Sequence, residues 1–240
     1  MSFTERSSIV FGSDGIETLK TKKVALFGLG GVGAAAAMDL IRAGVGTLIL
    51  IDFDVVAESN LNRLIVGFSD TVGRNKVDII REFGQKINPE LQIISQASFM
   101  KGALIANYFP DDADFYIDAI DSLNPKINLI IELLKRGKPF ISSMGMGSRM
   151  DPTKIQIKNL WETSGCPLAY MVRKRLRKRG VETPFDVIFS DEIPTDTVEN
   201  TSPNHDNMGR VRRVLGSTPF VPQTAGHFAA FYAVRALLKK

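Results

Sequence analysis

The chain is 240 residues long and 44% hydrophobic, enough to bury one sizeable core, so a single globular domain is the default. No apolar run approaches the ~18 residues that span a bilayer. The opening "MSFTERSSIVFGSDG" lacks the charged-then-apolar order of a secretory leader. The single cysteine, Cys166, excludes an intrachain disulfide and a cysteine zinc cluster, so the expectation is a cytoplasmic protein with no zinc. The net charge of +4 is unevenly spread: "RKRLRKRG" at 173–180 concentrates the positive charge, and "FPDDADF" at 109–115 the negative.

Apolar periodicity and glycine punctuation set the elements in chain order. Residues 14–22 suit a short helix. "KVALFG" (23–28) is short, apolar and stopped by glycine, which predicts a buried strand. "GVGAAAAMDLIRAG" (31–44) predicts a helix whose small residues at 34–37 allow close packing on a sheet. "GTLILID" (46–52) follows as a second strand, 73–87 as a helix and "LQIISQ" (91–96) as a third strand. "DFYIDAID" (114–121) is expected as a fourth strand, "PKINLIIELLKRG" (125–137) as a helix and "PFISSMG" (139–145) as a fifth strand. Over residues 1–150 this alternation predicts an α/β, Rossmann-like, mostly parallel sheet with helices on both faces and ligands at the carboxyl ends of its strands. The pattern changes over 151–240, which reads as a smaller α+β extension completing the same domain. It holds an edge-facing strand in "TKIQIKNL" (153–160), a basic helix in "PLAYMVRKRLRKRG" (167–180) and a strand in "FDVIFSDE" (185–192). A polar, mobile loop over 193–213 and an amphipathic helix over 224–240 complete it.

The stretch "VALFGLGGVG" carries the first functional signal. Gly28, Gly30, Gly31 and Gly33 let the backbone approach phosphate oxygens at a helix N-terminus, where free N–H groups and the helix dipole favour anions. The alternative is a tight strand-to-helix turn with no ligand. Asp52, 19 positions after Gly33, stands where a carboxylate binds ribose hydroxyls, which suits NAD and ATP alike. The residues that follow separate the two. "IDFDVVAESNLNRLIVGFSDTVGRNK" supplies Asn60, Arg63 and Lys76, and a cationic pair over the loop suits a triphosphate. Asp121, at the carboxyl end of the fourth strand, suits Mg²⁺, which binds one or two carboxylates together with phosphates and waters. Asp118, three residues earlier, suits either a structural or a catalytic carboxylate.

Four motifs, "GLGGVG", "DFDVVAESNLNR", "VGRNK" and "DAIDS", run in that order within about residues 6–145. Together they resemble the adenylation domain of the ubiquitin-activating-enzyme superfamily. The resemblance implies that Gly28, Gly30, Gly31, Gly33, Asp52, Asp54, Asn60, Arg63, Lys76, Asp121 and Ser122 bind ATP. It implies that Arg63, Lys76 and Asp121 carry the chemistry and that Asp121 holds Mg²⁺. Arg6, in "ERSSIVFGSDG", resembles an arginine that one subunit of a homodimer donates into its partner's ATP site.

The C-terminal third narrows the resemblance. Thioester-forming members need a cysteine there, and many sulfur-carrier enzymes carry two C-x-x-C pairs. This chain has neither pair, and Cys166 suits a small buried residue or a nucleophile. "GMGSRMDPTKIQIKNLWETSGCPLAYMVRKRLRKRGV", "VIFSDE" and "STPFVPQTAGHFAA" resemble the tRNA threonylcarbamoyladenosine dehydratases. That resemblance covers nearly the whole chain. It implies that ATP activates the carboxylate of the threonylcarbamoyl group on tRNA adenosine 37, and that an internal attack then closes a ring with net loss of water and no enzyme thioester. The family usually has an aspartate where Cys166 stands, and some members carry a cysteine near "PFVPQTAG" that this chain lacks. Arg173, Lys174, Arg175, Arg177, Lys178 and Arg179 are expected to meet tRNA phosphates, the alternative being a solvated helix face. His205 reads as a loop residue and His227 as a helix packing residue. The rivals are an adenylyltransferase acting on a ubiquitin-like sulfur carrier, a noncatalytic RNA-binding protein and an NAD dehydrogenase. The missing cysteine pairs and the basic helix make a sulfur-carrier partner the lesser expectation.

Overall fold

A computed structural model describes residues 2–96, 109–195, 204–205, 211–212 and 215–239. Its centre is a seven-stranded sheet built from β1 (Lys23–Phe27), β2 (Thr47–Ile51), β3 (Gln92–Gln96), β4 (Phe115–Asp118), β5 (Phe140–Ser143), β6 (Ile155–Asn159) and β7 (Asp186–Ser190). The spatial order is β3-β2-β1-β4-β5-β7-β6. All pairings are parallel except that of β6 with β7. β1, β2, β4, β5 and β7 are short runs buried almost throughout, as strands covered on both faces must be. The order turns about β1, with β2 and β3 to one side and β4 and β5 to the other. The crevice beyond the carboxyl ends of β1 and β4 is therefore the topological switch point, where ligands of such sheets bind.

Alternation along the strands sorts side chains to two faces. Val24, Leu26, Leu48, Leu50, Phe115 and Ile117 point to one face, covered by α2 (Ser13–Thr21), α3 (Gly31–Ala43), α4 (Lys76–Ile87) and α7 (Phe220–Leu237). Ala25, Phe27, Ile49, Ile51 and Tyr116 point to the other, covered by α5 (Leu123–Lys135) and α6 (Pro167–Lys178). The sheet crosses residue 150 without a break, because β7 pairs directly with β5.

Several boundaries differ from the expectation, each for a local reason. A further helix, α1 (Glu5–Phe11), precedes α2, and Gly12 at φ 84° divides them. Its apolar residues Ile9, Val10 and Phe11 are consecutive rather than at helical spacing, so no apolar periodicity betrays it. The helix expected from 73 begins at Lys76, since Gly73 sits at φ 85° and the backbone of Gly73 and Arg74 pairs with Val56. The fourth strand stops at Asp118, whose own carboxylate accepts the Ile120 N–H and turns the chain. The last helix starts at Phe220 rather than 224, with Pro222 in its first turn, where a missing N–H costs nothing. Within 193–213, Asn204–His205 (β8) and Val211–Arg212 (β9) form a two-stranded ribbon rather than loop, while 196–203, 206–210 and 213 lie outside the described residues.

The alanines at 34–37 serve a second contact besides the sheet. A Cβ on Gly226 of α7 would lie 2.4 Å from the Val32 carbonyl oxygen and 2.7 Å from Ala35 Cβ. The two helices thus touch almost backbone to backbone. Gly226→Ala should lower stability by about 1–3 kcal/mol through overpacking. The sign is diagnostic, because helix propensity alone favours alanine by about 1 kcal/mol. Urea unfolding followed by far-ultraviolet circular dichroism measures it, and a midpoint that stays or rises would show that the helices can part freely.

Candidate functional site

Each glycine of the loop after β1 answers a separate constraint. Gly28 has φ 88°, and a Cβ there would meet the Ala119 carbonyl oxygen at 2.8 Å. A Cβ on Gly33 would lie 1.8 Å from the Gly28 carbonyl oxygen, so α3 packs directly on the loop that precedes it. Gly31 faces Pro222 and the Arg63 side chain, whereas the Cβ direction at Gly30 meets nothing within 4 Å. Gly30 is the N-cap of α3; no side chain caps this end, and no acidic residue stands in its first turn. The opening N–H groups of a helix have no internal partners, so this end is suited to an anion.

Two charged groups flank the loop. On the β2 side Asp52 is buried, and its oxygens accept the Leu29 N–H at 2.5 Å and the Asp54 N–H at 2.7 Å. Burial raises its pKa, opposed by Lys76 and by those two N–H groups. The first visible work of Asp52 is therefore to tie the loop to the end of β2. Lys76 is buried too, and its Nζ reaches Asp54 Oδ2 at 3.2 Å. It arrives there because Val55 bridges Asn75 and Val56 N–H donates to Arg74.

On the other side stand Arg63 and Asp121. Burial lowers the Arg63 pKa, and the Asp121 charge opposes the shift. Arg63 Nη1 donates to the Ser59 carbonyl at 2.7 Å and to Asn62 Oδ1 at 2.9 Å. Asn60 turns its carboxamide to its own segment, accepting the Ala57 N–H at 3.3 Å, and its carbonyl accepts from Arg63 and Leu64. Asp121 is exposed, and Ser122 Oγ donates to it at 3.1 Å. The fold thus gathers Asp52, Asp54, Lys76, Arg63, Asp121 and Ser122 around one loop. Arg6 stays away from it. It is exposed on α1, and Thr4, two residues before it, is placed against Gly44 at the far end of α3. A 13-residue helix puts roughly 20 Å between that end and the loop.

The choice left open for Asp118 is answered by its surroundings. It is fully buried, and Lys126 Nζ and Ser142 Oγ each donate to it at 2.6 Å. It is a structural carboxylate that anchors α5 and β5 to the end of β4. Lys126, fully buried as well, has its pKa lowered by burial, with Asp118 opposing. The sequence reading missed Lys126. Its signal was a lysine on the stripe of Ile130 and Leu133, at helical spacing.

The six cations of the basic helix divide. Arg173 turns inward and donates to the Leu160 carbonyl and to Thr163 Oγ1. Arg177 lies over the Trp161 ring at 5.0 Å, and Arg179 donates to Asn128 at 2.7 Å. Lys174, Arg175 and Lys178 are exposed and make no hydrogen bond or ion pair among the described residues. They are spaced to share one outward flank of α6. Cys166 is buried at the N-cap of α6, with Leu160, Ala169 and Val172 in the same cluster. His227 is not a packing residue: it is half-exposed, and Nδ1 lies 2.5 Å from Asp39 of α3.

Nearly the whole chain matches known proteins. A model described as the ThiF family covers residues 4–240. The chain is 38% identical to the tRNA threonylcarbamoyladenosine dehydratase of Bacillus subtilis, over 98% of this chain and 94% of that one. To the Escherichia coli protein of that name it is 35% identical over 96% and 91%. A crystal structure of the E. coli protein in complex with ATP superimposes with a TM-score of 0.85 at 29% identity, covering 98% of this chain and 93% of that one.

The buried Asp118–Lys126 pair yields a test of the scaffold. Lys126→Met leaves a fully buried carboxylate with its cation removed, which should cost about 3–5 kcal/mol. Adding Asp118→Leu should recover a large part of that loss. Urea midpoints of both variants measure this, and a single variant as stable as the parent would show the pair to be dispensable.

Proposed function

The chain belongs to the ThiF family, and from its likeness over nearly its whole length to tRNA threonylcarbamoyladenosine dehydratases we propose that it catalyses the ATP-dependent dehydration of the threonylcarbamoyl group on tRNA adenosine 37. The observation that carries the reading is the pairing of Arg63 with Asp121 and of Lys76 with Asp52 and Asp54 around a helix N-terminus left open by Gly30. A nicotinamide dinucleotide needs no such cations. A triphosphate does, because charge builds on the departing pyrophosphate.

In this reading the loop N–H groups bind phosphate, Asp52 retains acceptor capacity for ribose hydroxyls, and Arg63 and Lys76 neutralise the leaving group. The substrate carboxylate attacks the α-phosphorus, the bond to the β-phosphate oxygen breaks, and pyrophosphate departs. An internal nucleophile of the threonylcarbamoyl group then attacks the activated carbonyl. AMP leaves with the former carboxylate oxygen, and the nucleophile gives up its proton. No atom of Cys166 is needed.

Mg²⁺ fits this donor set in one manner only. Among the described residues no cluster of three or more His, Cys, Asp or Glu could hold a metal. Asp121 is an exposed single carboxylate beside the loop, and a lone carboxylate suits an ion whose other ligands are phosphates and waters. The ion would screen charge on the polyphosphate. Arg6 lies at the wrong end of α3 to serve its own loop, which supports a homodimer in which it serves the partner's. The exposed Phe3, Ile9 and Val10 around it give that face an apolar surface to cover. Lys174, Arg175 and Lys178 are the residues of α6 available to tRNA phosphates. Among the described residues no helix is long and apolar enough to cross a membrane, and a tRNA substrate favours the cytoplasm.

Purified protein with threonylcarbamoylated tRNA and ATP should give a nucleoside one water lighter by mass spectrometry. It should also exchange labelled pyrophosphate into ATP. Asp121→Asn should keep the fold and lose most of both, by about 100-fold or more. Adenylation of a small ubiquitin-like protein with indifference to tRNA would sink the reading.

The helix can be tested separately. Arg175→Glu with Lys178→Glu should weaken tRNA binding and flatten its salt dependence, by roughly 0.7 to 0.9 in the slope of log affinity against log salt per lost phosphate contact. ATP affinity should stay as in the parent. Filter binding across a salt series measures this, and an unchanged slope would remove α6 from the tRNA interface.

A further inference from the structure

Arg63 is held from a distant part of the chain. Beyond its bond to Arg63, the Asn62 carboxamide donates through Nδ2 to the Ser217 carbonyl at 2.8 Å. Gln223 Nε2 donates to the Arg63 carbonyl at 3.1 Å. Pro222 packs on Gly31 in the space a Cβ would need. These three contacts come from one strap, residues 215–223, some 150 residues beyond the arginine in sequence. The other end of the strap is anchored. Gly216 accepts the Ser148 N–H at 2.7 Å, and Thr218 Oγ1 donates to the Arg149 carbonyl at 3.1 Å. Arg149 is itself buried, with Nε bonded to the Glu192 carbonyl at 3.0 Å.

An arginine side chain carries about 2 kcal/mol of rotamer entropy. One left free on a surface turn would spend little time facing a phosphate. Here the main chain is pinned by Gln223 and the guanidinium by Asn62, and only Nη1 is used. Among the described residues Nε and Nη2 of Arg63 make no hydrogen bond, so the fork that grips a phosphate bidentately is left to a ligand. Such prior orientation is what makes a charge effective in a transition state.

We propose that Asn62 and Gln223 are positioning residues that set Arg63 for nucleotide activation, and that the 215–223 strap is therefore part of the nucleotide site. The proposal rests on the reading above that Arg63 acts on bound ATP. It makes the C-terminal extension a contributor to adenylation, with no residue of its own touching the reacting atoms.

The test is a double-mutant cycle in ATP–pyrophosphate exchange, with the full chain and its tRNA substrate. Asn62→Ala should lower kcat by about 10- to 100-fold, as misplacement of a catalytic group does, while KM for ATP changes less than threefold. In an Arg63→Ala background the same change should have no further effect, because the residue it orients is gone. Gln223→Met, which keeps the volume and loses the donor, should behave likewise and serves where Asn62→Ala fails to fold. Losses that multiply independently of Arg63, or a silent Asn62→Ala and Gln223→Met, overturn the proposal while leaving the adenylation reading intact. A parent protein that exchanges no pyrophosphate overturns both.

Discussion

Gly33 can carry no side chain, because a Cβ there would fall 1.8 Å from the Gly28 carbonyl oxygen. That contact fixes the start of α3 on the end of β1, and much of the molecule follows from it. Gly28, held at φ 88° against the Ala119 carbonyl, brings the end of β4 to the same point. The helix N-terminus, the loop and the residues after β4 thus share one rigid frame. Binding groups on such a frame need little reorganisation when charge develops beside them. Because α3 cannot move away from the sheet, α7 meets it where only Gly226 against Ala35 allows the approach.

The end of β4 carries two carboxylates with opposite fates, three residues apart. Asp118 lies at the last strand position, pointing into the structure, and takes three donors: Lys126, Ser142 and the Ile120 N–H. Two unit charges about 4 Å apart attract by about 4 kcal/mol at an effective dielectric constant near 20. That attraction offsets desolvation only where hydrogen bonds complete the shell, as they do here. Asp121 lies beyond the turn that Asp118 creates. It is exposed, and its charge acts on the partly desolvated Arg63. The buried carboxylate holds the turn in place, and the exposed one is thereby aimed at the crevice.

The sheet was legible because its central strands, such as "KVALF" and "TLILI", are apolar runs too short for a helix and set among turn residues. The loop was legible because glycine spacing records steric necessity at Gly28 and Gly33. The motifs imply that Asp52, Lys76, Arg63 and Asp121 serve one loop, whereas the tie from Asp52 to the Leu29 N–H, 23 positions away, has no local signal. What failed to show was tertiary. α1 has no buried face of its own. The division of the basic helix depends on which cations find Trp161, Thr163 and Asn128, none of which a charge count can reveal. The strap contacts at Asn62 and Gln223 join positions 155 and 160 residues from their partners, and no local pattern encodes a pairing at that distance.

Those long-range contacts bear on how the two halves of the chain relate. β7 supplies the neighbour of β5, so without residues beyond 150 the buried strand β5 would itself be the edge of the sheet. α7 covers the face of α3 that Ala35 leaves flat. The strap pins Arg63, and α6 covers the opposite face of the sheet through Ala169, Val172 and Leu176 while presenting Lys174, Arg175 and Lys178 outward. A helix that serves as core on one side and as a cationic surface on the other cannot be shifted without disturbing the sheet on which the nucleotide loop is built. The nucleotide loop and the surface proposed to meet a polyanion are accordingly parts of one packed unit, with Arg63 among the residues at which the two halves are hydrogen-bonded together.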